Sequence, residues 1–168
     1  MAVREVDRLP GVLPAVDQAF LDSAPSRFAD TFEIPLPAAV VWAELTRDNT
    51  LDWCQGLDIT WLSSRPFGVG TRRRARLLGV MLRVDEEYFV WEEGRRKAFY
   101  VTSVRPGAYR RSAEDYLVEP LGPDRCRFTW TLAFELTMLG KLNGPLSSLV
   151  IKRMFGDTRA HFAQLAAK

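Results

Sequence analysis

Cysteine and histidine are scarce in this chain of 168 residues, which has two of the first and one of the second. Cys54 and Cys126 stand far apart and form no CxxC pair, so no disulfide framework is encoded, and the chain reads as one kept reduced in a cytoplasmic setting. A single histidine, His161, excludes a metal site built on several imidazoles, and a Ser-His-Asp set would have to use that one residue. The GVGT at 68–71 lacks the further glycines and the following helix of a dinucleotide loop, and GxxxxGK[ST] is absent. No cofactor and no metal are therefore expected. No stretch approaches the roughly 20 apolar residues of a membrane span. The opening MAVREVDRLPGVLP breaks its apolar residues with charges and prolines, unlike a signal peptide. An excess of one charge is missing too: 23 Lys and Arg face 21 Asp and Glu, a net charge of +2. That is far from the basic balance of a nucleic-acid binder, so neither a nucleic-acid partner nor a membrane span is expected, and the oligomeric state stays open.

What is present suits one domain, long enough to bury about 70% of its unfolded surface around a single core. Residues 1–26 read as an amino-terminal extension with a short helix between Pro14 and Pro25, free to cap a cavity mouth, pack outside the sheet or join a dimer contact. RFADTFEI reads as a strand ended by Pro35 and Pro37, PAAVVWAELTRD as a helix, and NTLDWCQG as a second, short helix stopped by Gly56. The period then changes to two. LDITWLS, GTRRRARLLG, MLRVDEEYFVWEEG, RRKAFYVTSV, YRRSAEDYLVEPL and DRCRFTWTLAFEL follow one another with turn residues between them, the pattern of six antiparallel strands in series. From Pro145 to the end the chain is helical again. The fold class is α+β in the order β-α-α-β6-α: one antiparallel sheet of seven strands, with one long helix to cover its apolar face. A sheet curved around that helix satisfies both, and the space between them need not fill.

IPLPAAVVWAELT, LDWCQGL, FGVGTRRRARLLG followed by VDEEYFVWEEGRRKAFYV, and EDYLVEPLGPDRCRFTWTLAFE together resemble the START and polyketide-cyclase-like proteins of the SRPBCC superfamily. Glu86, five residues before Trp91 and an arginine-rich turn, belongs to the resemblance. It spans residues 27–168 and implies the helix-grip fold shared with the birch pollen allergens. It also implies a small hydrophobic ligand in an internal cavity: a lipid, a polyketide or an aromatic metabolite.

Strand alternation selects the inward residues. Of the four arginines at positions 72–76, Arg72, Arg74 and Arg76 share one face, and only Arg73 falls with Thr71, Ala75 and Leu77. Leu82, Val84, Tyr88 and Val90 share a face with a lone carboxylate, Glu86; Ser112, Tyr116 and Val118 share one with Glu114. The last strand turns Phe128, Trp130, Leu132 and Phe134 inward, and the final helix has a stripe that includes Met154, Phe155, Thr158 and Phe162. Arg73, Glu86 and Glu114 form the candidate polar network, because isolated charges away from water are too costly to persist unpaired. A bulge would shift the register and abolish it. Met81, Met138 and Met154 are candidate adaptable lining.

Two other functions share these residues. A cofactor-independent cyclase, dehydratase or isomerase would use Glu86 or Glu114 as a buried acid or base, with Tyr88 or Tyr116 as donor. An interaction module would use Arg72, Arg74 and Arg76 with Arg95, Arg96 and Lys97 as a basic face, unless Asp85, Glu87, Glu92 and Glu93 balance it.

Overall fold

The computed structural model describes residues 11–78 and 81–168. Along them run α1 (Gln18–Ser23), β1 (Ser26–Ile34), α2 (Ala38–Thr46), β2 (Leu57–Trp61), β3 (Arg72–Leu77), β4 (Leu82–Glu92), β5 (Arg96–Arg105), β6 (Tyr109–Gly122), β7 (Arg125–Leu136), α3 (Met138–Leu142) and α4 (Gly144–Ala166). The seven strands make one antiparallel sheet in the order β1-β7-β6-β5-β4-β3-β2. Every strand from β2 to β7 lies beside its neighbour in sequence, with a ten-residue loop between β2 and β3, while β1 closes the far edge against β7. The sheet curls around α4, as its alternation and the length of the last helix predict.

Three features depart from the sequence pattern. NTLDWCQG is not a helix but a run of turns: Thr50, Asp52 and Cys54 each donate to the carbonyl three residues back, and Leu51 sits at φ 61°. That left-handed residue prevents the i to i−4 ladder from continuing. A short additional helix, α3, starts where the Thr137 hydroxyl accepts from Gly140 N at 3.2 Å. Gly140 itself is required by close approach, because a Cβ there would lie 2.1 Å from the Ala108 carbonyl.

The third departure is a split in the sheet. β5 pairs with β6 only from Arg96 to Tyr100, whereas β6 and β7 pair from Tyr109 to Gly122. Where β5 leaves β6, residues 11–13 fill the gap: Leu13 N donates to Thr102 O, and Val104 N to Gly11 O, both at 2.8 Å. Otherwise those β5 groups would lack sheet partners. α1, capped by Asp17, then lays Phe20 and Leu21 on the outer face over Ala98, Ala113 and Ala133, where small side chains admit a helix. The described part of the amino-terminal extension thus closes the gap in the sheet with residues 11–13 and packs α1 on its outer face.

Candidate functional site

The interior has a filled half and a hollow half. α2 and the carboxy-terminal half of α4 cover the first, where Trp42, Phe99, Phe128 and Phe162 are buried in one continuous cluster. The first half of α4 covers the second, a cavity of about 180 Å³. Its walls are mostly aliphatic: Ala75 and Leu77 of β3, Leu82 and Val84 of β4, Val101 of β5, and Ile151 and Met154 of α4. Leu132, Phe134 and Leu136 come from β7 and Phe28 from β1, with Ser112, Ser147 and Ser148 also exposed to the space.

Polar groups meet where the two halves join. Arg73 and Glu86 are directly opposite each other on β3 and β4, both almost wholly buried, and Arg73 Nε donates to Glu86 Oε2 at 2.5 Å. Bulges do interrupt the pairing of β4 with β5, between Asp85 and Glu86 and between Tyr88 and Val90, but this cross-strand pair stays inward. The guanidinium lies 4.1 Å from the centre of the Phe99 ring. Burial opposes its charge, yet Glu86 and the neighbouring Tyr88, Tyr116 and Glu114 hold the proton above the ordinary arginine range. Burial likewise raises the Glu86 carboxyl, against the pull of Arg73 and Lys97. Among the described residues, Arg73 Nη1 and the Tyr88 hydroxyl have no hydrogen-bond partner.

Glu114 faces the cavity from β6. Its Oε2 accepts from Trp130 Nε1 at 2.9 Å and from the Tyr116 hydroxyl at 3.3 Å. Burial, and then repulsion from Glu86, push this carboxyl up to about 7, although Arg73 and the two donors favour the ionised form. It is therefore poised to gain or lose a proton near neutral pH.

The expected site residues divide between the halves. Arg73, Glu86, Glu114, Tyr116, Trp130, Leu132 and Met154 line the cavity. Tyr88, Phe128, Phe155, Thr158 and Phe162 are not among its walls and lie in the packed region behind it. Thr158 accepts from Trp53 Nε1 at 3.0 Å, and Phe155 packs edge-on to Trp130 at 5.4 Å. Met81 and Met138, expected as lining, are 86% and 69% exposed. The bulge after Tyr88 also turns Val90 outward and Trp91 inward, reversing the alternation expected there. His161 stacks on Trp53 at 3.9 Å and bonds Glu44 at 2.9 Å, outside the cavity.

Lys97 is the residue the sequence reading misplaced. It is fully buried, and its Nζ donates to the Leu45 carbonyl inside a cage of Tyr116, Trp61, Tyr88 and Trp91, whose centres lie 5.0 to 6.0 Å away. Burial, and next the Arg73 charge, lower its basicity well below the ordinary lysine range. The signal was present: Lys97 shares the parity of Phe99 and Val101, both inward. The remaining arginines of the supposed basic face are largely paired, Arg74 with Asp85 at 2.6 Å, Arg96 with Asp115 at 2.8 Å, and Arg95 with Glu92.

Known proteins share both the sequence pattern and the architecture. The family model described as polyketide cyclase / dehydrase and lipid transport matches residues 25–168. A protein of Mycobacterium tuberculosis described as uncharacterized is 30% identical over 152 residues, which cover 87% of this chain and 90% of that one. Among solved structures, a START superfamily protein from Mycobacterium smegmatis superposes with a TM-score of 0.65 at 14% identity, covering 83% of this chain and 98% of that one. The Zhui aromatase/cyclase from Streptomyces superposes at 0.68 with 12% identity, covering 84% of this chain and 93% of its own. At these identities the superpositions establish the fold.

Proposed function

The chain belongs to the polyketide cyclase / dehydrase and lipid transport family, and on that premise we propose that it encloses one small, mainly apolar molecule with a polar end, as a carrier or sensor. The observation that carries this reading is the aliphatic cavity of about 180 Å³ with Arg73, Glu86 and Glu114 gathered in its wall. Its size is close to the roughly 150 Å³ of an apolar hollow that accepts benzene. The volume favours an aromatic metabolite or a single polyketide ring over a long acyl chain. Apolar burial supplies the affinity, and the polar groups fix the orientation. Glu114 can offer either a proton or a lone pair, and Arg73 brings an unused donor to the same wall.

Mass spectrometry of the protein purified without denaturant, in native and denatured states, tests the reading directly. A defined apolar compound released in about stoichiometric amount supports it. A clean apo mass, with no thermal shift across a panel of aromatic and polyketide compounds, overturns it.

A second reading, an enzyme without a cofactor, is favoured by the position of the Glu114 carboxyl near neutrality beside the Tyr116 hydroxyl. Glu114 would shuttle a proton to or from the enclosed molecule. On the recovered compound, Glu114→Gln would then lower turnover by about 100-fold or more while binding persists. Unchanged turnover in that variant removes the enzyme reading and leaves the carrier.

A further inference from the structure

The cavity walls run to one end of the sheet, at Leu77, Leu82, Tyr109 and Leu136, and that end has an unusual covering. Of the eleven large apolar side chains that are exposed among the described residues, Leu78, Met81, Met138, Leu139, Leu142, Leu146 and Leu149 belong to that end. Their neighbours in sequence are cavity walls: Leu77 precedes Leu78, Leu82 follows Met81, Leu136 lies just before α3, and Gly144, Ser147, Ser148 and Val150 interleave with the leucines of α4. The apolar residues therefore sit on the same elements as the walls at this end, on the side that faces solvent. Clusters of this kind are uncommon on a surface facing only water.

The charge around the rim is mainly basic, although Asp157 lies 4.0 Å from Arg153. From Leu136 to Gly156 there is no Asp or Glu, whereas Lys141, Lys152 and Arg153 are present. On the outer face of the sheet beside the rim, Arg76 is directly opposite Arg83, and Arg83 directly opposite Arg105. All three are exposed; Asp58 lies 3.8 Å from Arg76, and Asp85, near Arg83 on the same face, is already bonded by Arg74. Like charges directly across a sheet are destabilising, so folding does not favour the row by itself. An external anion would.

We infer that this end docks on an anionic lipid bilayer, with the leucines and methionines entering the interface and the arginines and lysines reaching the headgroups around them. A second copy fits less well, since a two-fold contact would bring the arginine row against its own equivalent. Docking would point the hollow end at the membrane. It would do so whether or not the cavity holds the kind of molecule proposed above.

Co-sedimentation of the full chain with phosphatidylcholine vesicles, with and without phosphatidylglycerol, tests this. Binding is expected only to the anionic vesicles, falling about tenfold or more as salt rises from roughly 0.05 to 0.5 M. The pairs Leu142→Glu with Leu149→Glu, and Arg83→Glu with Arg105→Glu, should each weaken it by about tenfold or more. Val69→Glu, a 71% exposed apolar site beyond the other end of β3, should not. Thermal unfolding of each variant distinguishes loss of binding from loss of fold. Absence of binding to anionic vesicles at low salt, equal binding to neutral ones, or rim variants that bind as well as the wild type overturns the inference. So does a dimer in sedimentation equilibrium that the rim variants dissociate, because the surface then belongs to a second copy. Recovery of a cavity ligand bears only on the earlier proposal.

Discussion

Where α2 crosses the sheet the interior is filled by rings, and beneath the first turns of α4 it is hollow, although one sheet and one helix wall both halves. Phe32, Phe128 and Phe155 of the filled half meet one another and Trp130, at the border with the cavity, ring to ring at centroid distances of 5.4 to 6.4 Å. The hollow half is walled by shorter side chains, Ala75, Ser112, Ser147 and Ser148 among them, together with the rings of Phe28, Tyr109 and Phe134. The division falls within α4, between Met154, a wall residue, and Phe155, a core residue. Aromatic volume thus stabilises one end of a common scaffold and leaves the other able to hold a guest. The polar network stands at the junction, where it is shielded from water yet faces the space.

The contrast can be broken by exchanging ring volume for space on each side. Phe128→Ala in the filled half should cost about 4 kcal/mol, because its neighbours are fixed and a new cavity remains. Phe134→Ala in the hollow half should cost about half as much, since that ring already borders open space, and it should broaden the range of molecules bound. Denaturant unfolding measures both. Equal losses would mean that the two halves are packed alike.

The junction responds to pH. The folded Glu114 carboxyl, at about 7, binds its proton more tightly than the ordinary value of 4.5. Its contribution to stability is therefore fully present below pH 4.5 and is lost as pH rises through about 7. Relative to Glu114→Gln, the wild type should lose on the order of 3 kcal/mol between those limits. Parallel stability curves for the two proteins would show that Glu114 titrates normally.

A smaller effect is expected from Lys97 in the filled half. Lys97→Met retains an apolar stem in the aromatic cage, and the Leu45 carbonyl keeps the Thr50 hydroxyl as donor at 3.0 Å. At neutral pH the variant should be more stable by about 1–2 kcal/mol. The folded lysine is less basic than its ordinary 10.5, so the wild type binds fewer protons than its unfolded chain on approaching that value and gains stability as pH rises toward it. The variant lacks that rise. A variant less stable than the wild type throughout would make the buried ammonium a structural necessity.

Alternation alone carried the reading of Arg73 and Glu86, since each is the single charge among apolar residues on its face, and a register slip would have exposed both. It failed at Val90 because the bulge after Tyr88 adds a residue that no local sequence signal marked. It also failed to separate Phe128 from Phe134, two inward rings on one strand, because parity fixes the face and not the depth at which the helix meets it. Lys97 was legible by parity but was grouped with the arginines beside it by charge. Leu51 shows the same limit at a helix: NTLDWCQG has the composition of one, but a left-handed residue ends it.

By itself the sequence determined the sheet, its strand order along the chain, the long closing helix and the inward set of charges, because period, turn residues and polarity are local properties. Tertiary structure alone decided that the interior is half filled, that the Glu114 carboxyl lies beside two donors and a second carboxylate, and that exposed apolar residues gather at the hollow end. Each of those depends on distances between elements remote in sequence, set by sheet curvature and by how the rings of α2, β7 and α4 fill volume.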